Sequence, residues 1–257
     1  MNRDFNPAGY ADVLATARSC GYDIRPMRDA LHAGAAPTLL LRHDVDLSLH
    51  LALEMAELEH AREITATYHV LPHNDFYEPF APEGRRTLVR MVELGHEIGL
   101  HCDTNVYPKE PREFHRAIRR DIEMLEQIIG RKVISASQHR PVEGGPFDLG
   151  DLIEIDAYAP GLRQKFAYLS DSAMSWRAVT PWDLLPSREN LQLLTHPIWW
   201  MAPGVSRQEK FEHLKKNEAK LRSEKMDAEL AYIEQCLVDR QQLDVRMAQK
   251  WREHAAQ

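Results

Sequence analysis

A chain of 257 residues, 44% hydrophobic and 28% charged, can bury one large α/β core or two small ones, and its composition is that of an ordinary globular protein. A net charge of −7 excludes the basic face that a nucleic acid or an anionic membrane would require. No apolar run approaches the roughly 20 residues that span a bilayer, no apolar stretch marks a signal peptide at the N-terminus, and three scattered cysteines imply no disulfide framework; a cytoplasmic protein is expected.

Tyr10, Val13, Leu14 and Ala17 sit at helical spacing and predict a helix over 8–20, stopped by Gly21. An apolar run over 38–41 predicts a buried strand, 38–43, that ends in Arg42-His43-Asp44-Val45-Asp46. A helix over 48–62 follows, then a strand over 64–70 rich in β-branched and aromatic residues. The next helix, 84–94, closes at Gly95, and a strand over 97–100 ends at His101. Phe114, Ile118, Ile122, Leu125 and Ile129 predict a helix over 110–129, closed by Gly130. A strand over 133–136 leads to Gln138-His139-Arg140-Pro141. Residues 144–190 are less regular, with apolar pieces at 153–155 and 166–169, and a last strand over 191–195 ends at His196. From about Ser206 the chain is helical and charged, with an apolar stripe through Met226, Leu230, Ile233 and Leu237 suited to packing on the domain or on a second copy as a homodimer.

Repeated strand–helix units mean a mainly parallel sheet, open or closed into a barrel. Two regions are expected: a (β/α) domain over 1–205 and a helical extension over 206–257. Parallel α/β enzymes keep their chemistry at the carboxyl ends of strands. Those ends here carry Asp44 and Asp46, then His101 and Asp103, then His139 and Arg140, and finally His196. Asp44 and Asp46 share one face of an extended strand and repel, so a cation or a raised pKa must separate their roles. One aspartate and two imidazoles suit zinc or a similar divalent metal with an open position. The second carboxylate is then available as general base and a further histidine as general acid. His43 alternates away from Asp44, Arg42 falls on the face that can buffer the aspartates, and Cys102 points away from His101 as a structural thiol. Trp182, Trp199 and Trp200 are candidate sugar platforms, with Trp199 the one taken to face the pocket.

Across about residues 38–200 the order of motifs resembles the polysaccharide deacetylase family (NodB-homology, carbohydrate esterase family 4), in particular its relatives in O-antigen or capsule biosynthesis. The resemblance implies a distorted or incomplete (β/α) barrel with added C-terminal helices. Leu41-Arg42-His43-Asp44-Val45-Asp46 is similar to the first motif, which makes Asp44 the base and Asp46 a metal ligand. Gly95-His96-Glu97-Ile98-Gly99-Leu100-His101 resembles the second and supplies His101 as ligand. His139-Arg140-Pro141 resembles the third, with Arg140 orienting the base. Ser170-Asp171-Ser172-Ala173-Met174-Ser175-Trp176 resembles the fourth, placing Asp171 and Trp176 against substrate, and Leu193-Leu194-Thr195-His196-Pro197 the fifth, with His196 as acid. One position departs: the family's second histidine of motif two is Asn105 here, and His139 is the expected replacement as third ligand, the alternatives being Asn105 itself, weakly or through water, or a site that has lost tight metal binding. The implied activity is removal of an N-acetyl or other acyl group from a sugar, nucleotide-sugar or lipid-linked glycan. A non-catalytic sugar-binding protein and an amidohydrolase acting on a non-sugar amide are the alternatives.

Overall fold

The computed structural model describes residues 3–31, 37–141 and 148–255. Eight strands make one parallel sheet: β1 (Asp23–Arg25), β2 (Thr38–Val45), β3 (Thr67–Val70), β4 (Glu97–Cys102), β5 (Ser135–Gln138), β6 (Ile155–Asp156), β7 (Ala167–Ser170) and β8 (Leu191–Thr195). Their order is β6-β5-β4-β3-β2-β8-β7, with β1 alongside the first half of β2 and β3 alongside its second half. Among the described residues β6 and β7 do not pair, so the sheet is an incomplete (β/α) barrel. The helices are α1 (Pro7–Ser19), α2 (Leu49–His60), α3 (Pro82–Glu93), α4 (Pro111–Ile129), α5 (Pro160–Lys165), α6 (Pro181–Leu184), α7 (Pro197–Met201) and α8 (Arg207–Ala255).

Local chemistry sets the helix ends. Asn6 Oδ1 accepts from the Gly9 amide at 2.9 Å ahead of Pro7, and Ser48 Oγ accepts from Leu51 at 3.3 Å, each satisfying an otherwise orphaned N–H. Gly130 stops α4 at φ 64°, a left-handed turn that costs glycine nothing.

All eight residues of β2 are buried, and their alternation sorts the sheet into two polar layers and an apolar plug. Leu40, Arg42 and Asp44 share the interior face. Leu40 packs with Met27, Ala30, Ile155, Ala157, Leu162 and Phe166, which fill the interior below Arg42; each of the Leu, Ile, Met and Phe side chains contributes about 1.5–3 kcal/mol on burial. His43 faces the opposite way, toward the helices. There Glu59 of α2, fully buried, accepts from Tyr10 Oη and from Tyr68 Oη at 2.8 Å, with His43 Nε2 2.9 Å and His96 Nδ1 3.6 Å from its oxygens. His43 Nδ1 meets Thr195 Oγ1 at 2.7 Å.

Two strands start later than hydrophobicity places them. The ladder of β3 begins at Thr67 because the Ile64 amide still donates to the Glu59 carbonyl, closing α2. β5 runs over the polar segment Ser135–Gln138, since Ser135 and Ser137 face the interior and find partners there.

The chain divides into two compact units, Met1–Lys210 and Phe211–Gln257. The second consists, among the described residues, of the rest of α8, on which Met226, Leu230, Ile233 and Leu237 are exposed. Among the described residues no helix is long and apolar enough to cross a membrane.

Candidate active site

Asp44 stands at the carboxyl end of β2, 3% exposed, and is held from below by an arginine of its own strand. Arg42 NH1 donates to Asp44 Oδ1 at 2.8 Å and to Oδ2 at 3.2 Å, and the guanidinium lies 4.9 Å from the Tyr158 ring centroid. Oδ1 also accepts from Ser137 Oγ at 3.0 Å and faces His69 Nδ1 at 3.3 Å. Burial opposes ionisation of Asp44, but Arg42, His101 and His69 outweigh it and hold the carboxyl well below the usual range. Arg140, the residue expected in Arg42's role, is exposed on left-handed backbone (φ 47°), so that expectation is corrected. A partner two residues away on one strand face needs no loop to bring it in.

Asp46, His101 and His139 converge beside Asp44. Asp46 Oδ1 lies 3.2 Å from His101 Nε2 and 3.4 Å from His139 Nδ1, and the two nitrogens are 3.1 Å apart. The ladder sets this geometry. Cys102 pairs with Gln138, and the His139 amide then donates to the Cys102 carbonyl at 2.8 Å, which brings His139 next to His101. His101 Nδ1 donates to the Ser137 carbonyl at 3.1 Å, with Ser137 Oγ at 2.7 Å. A carbonyl only accepts, so Nδ1 carries the hydrogen and the neutral ring turns the Nε2 lone pair toward Asp46 and His139.

Three electron-pair donors meet here, and Asp46 Oδ1 is buried without a hydrogen-bond partner. A tetrahedral ion bonded at about 2.0–2.1 Å spaces its ligands about 3.3–3.4 Å apart, close to the separations found. The residues therefore fit a divalent cation. Electrostatics agree: burial disfavours the imidazolium of His101, yet Asp44 and Asp46 raise its pKa above the ordinary value, a sign of a site short of positive charge. Burial opposes ionisation of Asp46 too, but the neighbouring imidazoles of His101, His139 and His196 outweigh it and push its pKa down.

His196 follows β8 on the far side of Asp46, with Nε2 3.8 Å from Asp46 Oδ2. Its Nδ1 meets Asp171 Oδ1 at 2.6 Å, while Asp171 Oδ2 accepts from the His196 amide at 3.1 Å and from Trp200 Nε1 at 2.8 Å. Burial lowers the His196 pKa, but Asp171, Asp46 and Asp44 carry it to about 9. Asp171 is fully buried behind His196, so its expected contact with substrate is corrected: it orients the imidazole.

The tryptophans are mostly interior. Trp182 donates to Asp12 Oδ2 at 2.9 Å, Trp200 is fully buried, and Trp199 is 9% exposed, which removes it as an open platform. Trp176 is half-buried, its ring 5.8 Å from Phe5 and 6.1 Å from Trp200. Asn105 is exposed, its amide bonded to Asp103 Oδ1 at 2.9 Å, and His139 stands at the third corner instead. His96 is buried on the helix side of the sheet, and burial raises the buried Cys102 thiol. Ser135, Ser137, His69 and Glu97 were not singled out from the sequence as interior groups. For Ser135 and Ser137 the one signal is their place at alternate positions of a short polar stretch, Ser135–Gln138, that directly follows the apolar Val133-Ile134.

No family model and no curated protein matches the chain. Solved structures are similar to it: a family 4 carbohydrate esterase pseudoenzyme from Bacillus anthracis (15% identity, TM-score 0.45, 75% of this chain and 63% of that one). A family 4 carbohydrate esterase from the same organism matches at 16% identity and TM-score 0.40, over 84% of this chain and 86% of that one. A family 4 acetyl xylan esterase from Clostridium thermocellum, in complex with a cobalt ion, matches at 15% identity and TM-score 0.43, over 72% and 84%. The chain spans less than two thirds of the pseudoenzyme's length.

Proposed function

We propose that the chain is a metal-dependent hydrolase that removes an N-acetyl or related acyl group from a sugar. The observation that carries this reading is the Asp46–His101–His139 triangle flanked by a carboxylate, Asp44, and by an imidazole paired with a buried aspartate, His196. Asp46 Oδ1, His101 Nε2 and His139 Nδ1 would hold a divalent cation, zinc being the best match to an Asp-His-His set. Such an ion, when bound, polarises an amide carbonyl and acidifies a water.

The chain's own residues divide the proton transfers. Asp44, kept ionised by Arg42, accepts a proton from water as its oxygen bonds to the acyl carbon. His196, held by Asp171, delivers a proton from Nε2 to the amine as the carbon–nitrogen bond breaks. Acetate and a free amino sugar leave. The substrate class, an N-acylated sugar carried by a nucleotide or lipid in surface polysaccharide (O-antigen-like) assembly, is supported by the five motif resemblances.

Metal analysis and acetate release from N-acetylated sugars and nucleotide-sugars test this. The protein should carry stoichiometric metal that His139→Ala loses, and Asp44→Asn should abolish turnover. Full turnover by Asp44→Asn, or a protein that takes up no zinc, cobalt or manganese, would sink it.

A further inference from the structure

We propose that Tyr77 and Asn74, on the loop between β3 and α3, are positioning residues for Asp46, and that they set the affinity of the cation site through its backbone. The proposal rests on the metal-binding role given to Asp46, His101 and His139. Two of those three residues are held by the sheet. His101 lies within β4 opposite Ser137 of β5, and the His139 amide carries that ladder one step further by donating to the Cys102 carbonyl at 2.8 Å. Asp46 has no such support. β2 ends at Val45, so Asp46 stands one residue past the last pair of the β2–β3 ladder, Val45 opposite Val70. An aspartate carboxylate is two torsions from its Cα, so its place depends closely on the backbone that carries it.

The loop supplies what the ladder lacks. Tyr77 Oη donates to the Val45 carbonyl at 2.6 Å and accepts from the Leu71 amide at 3.0 Å. In a parallel ladder a carbonyl accepts from the amide one past its paired residue, which for Val45 is Leu71. The phenol therefore forms an inserted rung, joining the two groups that the next direct bond would have joined. Asn74 takes the following position. Its Nδ2 donates to the Asp46 carbonyl at 2.8 Å, while its Oδ1 accepts from the Phe76 amide at 2.7 Å. Both directions are fixed, because a backbone amide only donates and a carbonyl only accepts.

These two carbonyls bracket the ligand. The Val45 carbonyl belongs to the peptide before the Asp46 Cα, and the Asp46 carbonyl to the peptide after it. With both peptide planes tied, φ and ψ of Asp46 are set beyond the end of its strand, and the carboxylate is directed at His101 and His139. The loop is itself fastened to α4, where Asp121 Oδ2 lies 3.0 Å from His73 Nε2 and accepts from Tyr107 Oη at 2.6 Å. Neither Tyr77 nor Asn74 belongs to the Asp46–His101–His139 set.

Tyr77→Phe removes the hydroxyl and keeps the ring, and Asn74→Ala removes the amide. Zinc affinity is measured by competition with a chromogenic chelator, on metal-free protein that circular dichroism shows to be folded, so that lost stability alone does not lower it. Each variant should bind zinc about tenfold more weakly or worse, the size found for groups that orient metal ligands. Phe76→Ala, which alters an exposed side chain of the same loop, should leave the affinity unchanged. In an Asp46→Ala background, where His101 and His139 remain, Tyr77→Phe should cost no more than about twofold further, because the residue it acts through is gone. Zinc affinity within about twofold of wild type in both single variants, or a further loss of about tenfold in the Asp46→Ala background, overturns the proposal. If the wild-type protein takes up no zinc, cobalt or manganese, the metal-site reading fails and this proposal with it. Normal uptake that neither variant weakens makes this proposal alone the failed element.

Discussion

Replacing Glu59 with alanine strands several buried groups at once. The carboxylate is fully buried, accepts from Tyr10 Oη and from Tyr68 Oη at 2.8 Å, and lies 2.9 Å from His43 Nε2. Each buried group left without a partner costs about 1–3 kcal/mol, and each lost methylene adds about 0.8 kcal/mol. Against this, the folded state no longer desolvates a carboxylate, which offsets part of the sum. The expected net loss is about 3–5 kcal/mol, the range for breaking a buried charged set by removing one partner. That is a large share of a typical stability of about 5–15 kcal/mol. Glutamine keeps one acceptor and should lose roughly half as much. Urea unfolding followed by circular dichroism, with the slope m unchanged, measures it. A loss below about 1 kcal/mol for Glu59→Ala would refute the reasoning, because a cluster that tolerates losing its acceptor is not held by it.

That cluster, together with His69 beside Asp44, predicts a direction for pH. Burial pushes the imidazoles of His69 and His96 below their ordinary pKa, and Glu59, despite its desolvation, is pulled down by His43 and His96. All three bind more protons unfolded than folded, so stability falls on acidification, from about pH 6.5 through the histidines and more steeply below about pH 4.3 through Glu59. His101 and His196, whose pKa values are raised, are protonated in both states below about pH 6.5 and add no opposing slope there. Urea midpoints that stay flat or rise from pH 6.5 to pH 4 would contradict this. Asp171→Asn should cut kcat about a hundredfold or more while bound metal is retained. The asparagine oxygen goes to the two donors at Oδ2, the His196 amide and Trp200 Nε1, so its amide nitrogen faces His196 Nδ1 and removes the imidazolium's partner. Steady-state acetate release checks it, and a rate within tenfold of wild type would exclude an orienting role for Asp171.

The strand–helix alternation and the carboxyl-end clustering of Asp44, Asp46, His101, His139 and His196 were legible in the sequence, because periodicity and strand-end position are local properties. Arg42 was readable as a neighbour of the aspartates by alternation alone, whereas Arg140 was assigned from a motif and lies exposed. Asp171 illustrates the limit. Whether a carboxylate faces a pocket or the back of a histidine depends on β7 lying beside β8, a pairing between distant segments. Ser135, Ser137 and Glu97 were missed for a related reason: polar residues in a strand read as solvent-facing until the other half of each hydrogen bond is in place.

The arginine that holds Asp44 belongs to the same strand, two residues back, and every residue of that strand is buried. Loops at strand ends accept insertion and exchange far more readily than the strands they join. With base and counter-charge fixed in one strand, a change in the loops that spares His139 after β5 and Asp171 after β7 leaves the ionised state of Asp44 untouched. Substitutions confined to the remaining loop positions are the route by which specificity for a different N-acylated substrate should be most easily redirected.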